Sequence, residues 1–324
     1  MIERNNLNYL TSETVNEYIS KFDKFEWNKE PVDSWKEICK KRAQQLRDSY
    51  DYIILYYSGG SDTTTVLNAF LDNNIHIDEI VTTIFDKLNE PCLDGKKAEA
   101  DLIKKGYNGL YTKVILSYND IYNFLKNDNC LSNNPNFTGQ LHSFARFNIN
   151  HLTKFGFTKD IVRKSKICHL IGEQDPNVIF LDGHYYANIH MKRYCVAENF
   201  HENTAFFTSF DFPDIHIKQC HIVANYMKTY TQLDQNILNN RICKLVVRDY
   251  YSPLISPQKH LDNPLFSLQN YHIYSEGNLL LKKYLSHDSS FKDLYYSASI
   301  KQQVNIAKQI KSVDIQYYKK YLLF

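Results

Sequence analysis

The hexapeptide Ser58-Gly59-Gly60-Ser61-Asp62-Thr63 gathers small, hydroxyl-bearing and acidic residues in one place. Two adjacent glycines let the backbone turn sharply and approach a ligand with no Cβ in the way. Where such a turn opens a helix, its N–H groups point outward unpaired. Together with the helix dipole they form an anion site suited to phosphate or pyrophosphate. Ser58, Ser61, Thr63 and Thr64 add hydroxyl donors. Asp62 is out of place in a pure anion site; it makes sense where Mg2+ bridges a carboxylate to phosphates. The loop lacks the lysine and spacing of a Walker A loop, the GxGxxG of a dinucleotide site and the GxSxG of a hydrolase elbow.

Elements on either side must hold this turn in place. Before it, Tyr52-Ile53-Ile54-Leu55-Tyr56-Tyr57 is a continuous apolar run of strand length, as expected of a central parallel strand buried on both faces. After it, Val66, Leu67, Phe70 and Leu71 recur at helical spacing, and Asp72-Asn73-Asn74 ends that helix. Residues 80–85 read as a second strand, 97–105 as a helix closed by Gly106, and 111–116 as a third strand. This alternation predicts a parallel sheet with flanking helices. A helix around 140–155 precedes another strand at 167–171, which ends in Gly172-Glu173-Gln174-Asp175-Pro176. Asp182-Gly183 sits between two apolar runs and reads as a hairpin turn.

Residues 1–50 read as helical, with caps at Thr11–Thr14 and at Ser34, the latter ahead of inward-facing Trp35, Ile38, Ala43 and Leu46. Residues 215–248 and 276–324 read as mainly helical. The expected organisation is a helical segment over 1–50, an α/β domain with about five strands over 51–185, and a mainly helical region over 186–324 that closes over the site.

Composition narrows the classes. The 324 residues are 43% hydrophobic and 23% charged, which is ordinary globular usage and argues against disorder or a coiled coil. Lys and Arg exceed Asp and Glu by only two charges, so no global basic field exists for nucleic acid or an anionic membrane. A local basic patch for nucleic acid is still compatible with that balance. The apolar runs are a few residues long, against about 20 for a membrane span. The first residues lack the apolar core of a secretion signal. Seven cysteines include no CxxC pair, which fits reduced thiols and a cytoplasmic location.

The hexapeptide, in its strand–loop–helix setting, resembles the SGGxD[ST] loop of the PP-loop ATP pyrophosphatases. The resemblance implies a Rossmann-like α/β fold that binds ATP with Mg2+. The triphosphate would lie on Ser58, Gly59, Gly60, Ser61, Asp62 and Thr63, and the adenine near Thr83, Ile84 and Phe85. It also implies cleavage between the α- and β-phosphates. A substrate carboxylate or similar oxygen is adenylated, pyrophosphate leaves, and a nucleophile then displaces AMP.

Three shorter segments are similar to asparagine synthetase-like members. They are the acidic helix at Glu99-Ala100-Asp101, the Gly172-Glu173-Gln174-Asp175 segment, and Lys244-Leu245-Val246-Val247-Arg248 with Pro253 downstream. The second resembles GEGxDE, although Pro176 replaces its last acid. By this resemblance Gly172 and Glu173 join the nucleotide site, Asp62 and Asp175 hold Mg2+, and Asp62, Lys244 and Arg248 take part in catalysis. Glutamine-dependent asparagine synthetases carry an amidotransferase domain whose catalytic cysteine directly follows the initiator Met; here Ile2 occupies that place. Nitrogen, if transferred, would come from ammonia, another amine or an ammonia-donating partner subunit. The implied function is an adenylating, amide-forming synthetase acting on a small-molecule acceptor. A sulfur- or tRNA-directed PP-loop enzyme and a non-catalytic ATP-binding module are the alternatives.

Overall fold

The computed structural model describes residues 17, 19–59, 61–85, 93–117, 119, 166–172, 176–190, 203–228, 289–290, 292–293 and 318–324. Helix α1 spans Trp35–Ser49, and Ser34 caps it by accepting the Glu37 N–H at Oγ, 3.3 Å away. One N–H that a helix start leaves orphaned is thereby satisfied. Trp35, Ile38, Cys39, Ala43 and Leu46 fall on one face and are buried.

Strand β1 (Tyr52–Tyr56) follows, with Ile53, Ile54 and Leu55 all buried. Successive strand residues point to opposite faces, so three buried in a row mean that both faces are covered. The alternation continues through α2 (Ser61–Leu71), β2 (Glu79–Phe85), α3 (Leu93–Lys104), β3 (Leu110–Leu116) and β4 (Ile167–Ile171). Next come β5 (Val178–Leu181), β6 (His184–His190), β7 (Asn203–Ala205), α4 (Pro213–Lys228) and β8 (Tyr318–Leu322).

The larger sheet has five strands in the order β3-β2-β1-β4-β7, every neighbouring pair parallel. The chain is therefore α/β with a parallel sheet, as expected. Ile53, Leu55, Cys168 and Leu170 share one core with Ile38, Leu46, Val66, Leu67 and Phe70 of α1 and α2. At the far side of the sheet, the buried Arg42 guanidinium of α1 donates to the carbonyls of Ala205 at 2.9 Å and Phe206 at 3.3 Å, and pairs with Asp211 at 3.1 Å. It thus satisfies carbonyls just where β7 ends. Burial lowers its pKa, and Asp211 opposes that shift.

Two features depart from the sequence reading. The fifth strand of the parallel sheet is β7, beyond residue 185, and the 178–190 hairpin belongs to a separate antiparallel sheet, β5-β6-β8. The hairpin turn itself is as expected: Asp182 and Gly183 both have positive φ, 51° and 81°, as a type I′ turn requires. The second departure is β8, a strand where 276–324 reads as helical. Its burial alternates, Lys320 and Leu322 exposed against Tyr321 and Leu323 buried, which is a strand period. The residues themselves do not alternate, because the exposed Leu322 is as apolar as its buried neighbours Tyr321 and Leu323, so no strand period is legible in the sequence. The proposed helix around 140–155 and the cap at Thr11–Thr14 lie outside the described residues. Among the described residues, no helix is long and apolar enough to cross a membrane.

Candidate functional site

The order β3-β2-β1-β4-β7 places a switch of direction between β1 and β4. From β1 the chain proceeds through α2 to β2 on one side, whereas β4 is flanked on its other side by β7. In open α/β sheets, ligands bind outside the carboxyl ends of the strands at such a switch point. Both glycine-bearing segments singled out from the sequence end strands there: Ser58-Gly59 follows β1 and Gly172 follows β4.

The two described glycines are glycine for different reasons. Gly59 has φ +73°, a left-handed conformation that side chains resist. Its missing Cβ would make only ordinary contact with Ala98 of α3, at 3.5 Å. Gly172 is glycine because space is short: a Cβ there would lie 3.1 Å from Thr63 Cα and from Val66 Cγ2. The first turn of α2 thus lies directly against the end of β4. Gly172, expected at the nucleotide, packs against α2.

The hydroxyls divide in the same way. Thr63 is buried, and its Oγ1 lies 3.2 Å from Ser58 Oγ and accepts the Ser58 N–H at 3.4 Å. Ser58 itself is exposed. Thr63 therefore shapes the loop from beneath, while Ser58 sits at its surface. Asp62 occupies the first turn of α2 and is half-buried. Helix α2 begins at Ser61, two residues after Gly59, so its first N–H groups and the loop share one location.

Tyr57, the last residue before the loop, is held from several sides. Its N–H donates to Val81 O and its carbonyl accepts the Thr82 hydroxyl, both at 2.8 Å. Its own hydroxyl lies 3.2 Å from Thr64 Oγ1 and donates to Asp101 Oδ2 at 3.3 Å. Burial, with Asp101 adding to it, pushes the phenol up to about 12. Sequence reading passed over Tyr57 as strand core and took Asp101 only as part of an acidic helix. A tyrosine ending a buried strand just before the loop was the available signal.

On the neighbouring strands, Tyr56 and His169 form a second pair. The Tyr56 hydroxyl lies 3.0 Å from His169 Nδ1, and the rings stack at 6.0 Å. Burial drops the His169 pKa to about 4, so the imidazole is neutral at pH 7.

The backbones of Thr83, Ile84 and Phe85 form the carboxyl end of β2, paired with Val114, Ile115 and Leu116. Gly60, Glu173, Asp175, Lys244 and Arg248 lie outside the described residues, and Ser61 is described only as the first residue of α2. The site suits a phosphate group: a left-handed glycine, a helix start and exposed Ser58 converge at one strand end. A magnesium that arrives on phosphates needs only one or two protein carboxylates, which Asp62 fits. Among the described residues, no group of three His, Cys, Asp or Glu could hold a metal ion by itself. Cys39, Cys168 and Cys220 are buried, and burial raises the Cys39 thiol and pushes Cys168 up to about 12, so neither of these two is a ready nucleophile. Neither a protein-family model nor a curated protein matches the chain.

Proposed function

We propose that the chain is an adenylating synthetase of the PP-loop type. It binds ATP on the Ser58–Thr63 loop and transfers AMP to an acceptor oxygen. The observation that carries this reading is the position of that loop. It follows the central strand of an all-parallel sheet, opens α2, and lies beside the switch point between β1 and β4. Sequence motif and topology thus point to the same strand end.

In this reading an acceptor carboxylate, or a similar oxygen, attacks the α-phosphorus, and the bond to the β-phosphate bridging oxygen breaks. Pyrophosphate leaves with the electron pair. Negative charge on that leaving group grows in the transition state. Donors already aimed at it lower the barrier without having to reorganise. The N–H groups at the start of α2 and the Ser58 hydroxyl are those donors. Asp62 would hold Mg2+, which neutralises phosphate charge when bound. The absence of a Walker lysine, which would reach the β- and γ-phosphates, favours the α–β bond over γ-transfer. Lys244, Arg248, Glu173 and Asp175 keep the roles that the resemblance gives them, contacting the transferring phosphates and organising magnesium pyrophosphate. The acceptor is a small molecule; ammonia or an amine then attacks the carbonyl carbon of its adenylated carboxylate, the C–O bond to AMP breaks, and AMP leaves.

Incubation with α-labelled ATP, Mg2+ and fractionated metabolites tests the reading. AMP and pyrophosphate appearing with a particular fraction are the expected result. ADP and phosphate would overturn it. Tight ATP binding with no turnover in any fraction would favour a non-catalytic ATP-binding module.

A further inference from the structure

We propose that Tyr57 and Asp101 are a positioning pair that ties α3 to the phosphate loop, so the loop keeps its ligand-ready shape only while α3 is docked. The inference rests on the ATP reading above and adds a residue pair to it.

Contacts from β2, α2 and α3 converge on one short stretch. The backbone of Tyr57 is fixed to β2 through Val81 and Thr82. Its hydroxyl reaches Thr64 in the first turn of α2 and Asp101 on α3. One helical turn before Asp101, the Ala98 backbone lies 3.5 Å from where a Gly59 Cβ would be. Helix α3 therefore meets the loop twice, at Tyr57 and at Gly59, from residues that share one of its faces at i and i+3. Packing alone does not call for the hydroxyl: phenylalanine would fill the same buried volume without a polar group to satisfy. The hydroxyl instead supplies direction, because it engages both partners only when α2 and α3 are both seated. The phenol's raised pKa keeps it a donor from pH 5 to pH 9.

The test is calorimetric titration of the full chain with Mg-ATP, with pyrophosphate and with adenosine. Wild type is compared with Tyr57→Phe, Asp101→Leu, Asp101→Asn and the Tyr57→Phe/Asp101→Leu double variant, each with its melting temperature recorded. Tyr57→Phe and Asp101→Leu should weaken ATP and pyrophosphate about tenfold and leave adenosine unchanged. Asp101→Asn, whose amide oxygen still accepts, should stay within about threefold of wild type. The double variant should be no weaker than the worse single one, because the same contact is lost. A loss shared equally by adenosine would mark general destabilisation and overturn the pair. Wild-type ATP affinity in a folded Tyr57→Phe would overturn it too. Should Tyr57→Phe fail to fold, the contrast between Asp101→Asn and Asp101→Leu decides, and equal affinities there overturn it. A wild-type chain that binds no ATP removes the ATP reading, and the inference with it.

Discussion

At the amino end of the parallel sheet the strands are pinned by charged side chains, whereas at the carboxyl end they finish in glycines, hydroxyls and backbone N–H groups. Asp78 accepts the Ile53 N–H at 2.7 Å and the Arg47 guanidinium at 2.6 Å, and Arg47 also donates to Tyr50 O. Asp51 accepts the Lys166 N–H at 2.7 Å and returns its own N–H to Lys166 O. Glu79 accepts the Thr112 and Tyr52 hydroxyls. Burial raises the pKa of Glu79, and those two hydrogen bonds oppose the rise. These links span β1, β2, β3 and the start of β4. Their charges are used within the protein. At the other end Asp62 lies in the first turn of α2 and Asp101 holds Tyr57. The difference teaches a division of labour: one end fixes strand register through charges, and the other carries the loop on which the proposed ligand would sit.

The strongest way to break that division is at Asp78. Asp78→Ala leaves the buried Ile53 N–H without its acceptor and Arg47 without its carboxylate, with only backbone carbonyls left to accept from it. Urea denaturation should show roughly 3 kcal/mol less stability. Mg-ATP affinity of the folded variant should match wild type. A matching fall in ATP affinity would show that the two ends are not separate.

Acid should act through the buried histidines. His169 and His216 titrate near 4 in the fold, both through burial, against about 6.5 unfolded. The unfolded chain therefore takes up protons first as pH falls. The stability that neutral imidazole contributes is complete above about 6.5 and declines as pH drops towards 4. At pH 5 the loss is on the order of 2 kcal/mol for each histidine. Denaturation of wild type and His169→Gln at pH 7 and pH 5 checks it: the variant should show a visibly shallower pH slope. An identical slope would contradict the neutral assignment.

Gly172 sharpens the contrast from inside the carboxyl end, since its missing Cβ makes room for protein. Gly172→Ala should cost about 1–2 kcal/mol of stability through overpacking against Thr63 and Val66. A variant as stable as wild type would return Gly172 to the ligand. The smallest effect concerns Asp62. Asp62→Asn should weaken ATP about tenfold in Mg2+ and hardly at all in EDTA. Equal weakening in both would argue against a metal role.

Much of this was legible in the sequence, and the rest was lost for physical reasons. The strands at 52–56 and 167–171 stood out because buried parallel strands are continuous apolar runs bounded by turn residues, and those at 79–85 and 110–116 through their place in a strand–helix alternation. Asp182-Gly183 announced its turn because few residues accept positive φ. β7 and β8 were missed: three residues carry no readable period, the exposed but apolar Leu322 hides the alternation of β8, and their pairing partners are remote in sequence. The loop at 58–63 was visible from composition alone. The partition of its hydroxyls was not, because whether Thr63 faces the ligand or the core depends on which way the first turn of α2 lies. Tyr57 looked like one more apolar strand residue, and only the tertiary fold brings Asp101 to its hydroxyl.

The central claim is that the Ser58–Thr63 loop holds the phosphates of ATP. Calorimetric titration of Mg-ATP into wild type and Gly60→Val tests it most directly, with melting curves showing that both are folded. In the PP-loop reading, a Cβ and two methyls at residue 60 would stand where the backbone approaches phosphate. Wild type should bind, and the variant should lose at least about 2–3 kcal/mol of affinity because several charge-assisted hydrogen bonds go together. Unchanged affinity in the folded variant would contradict the claim.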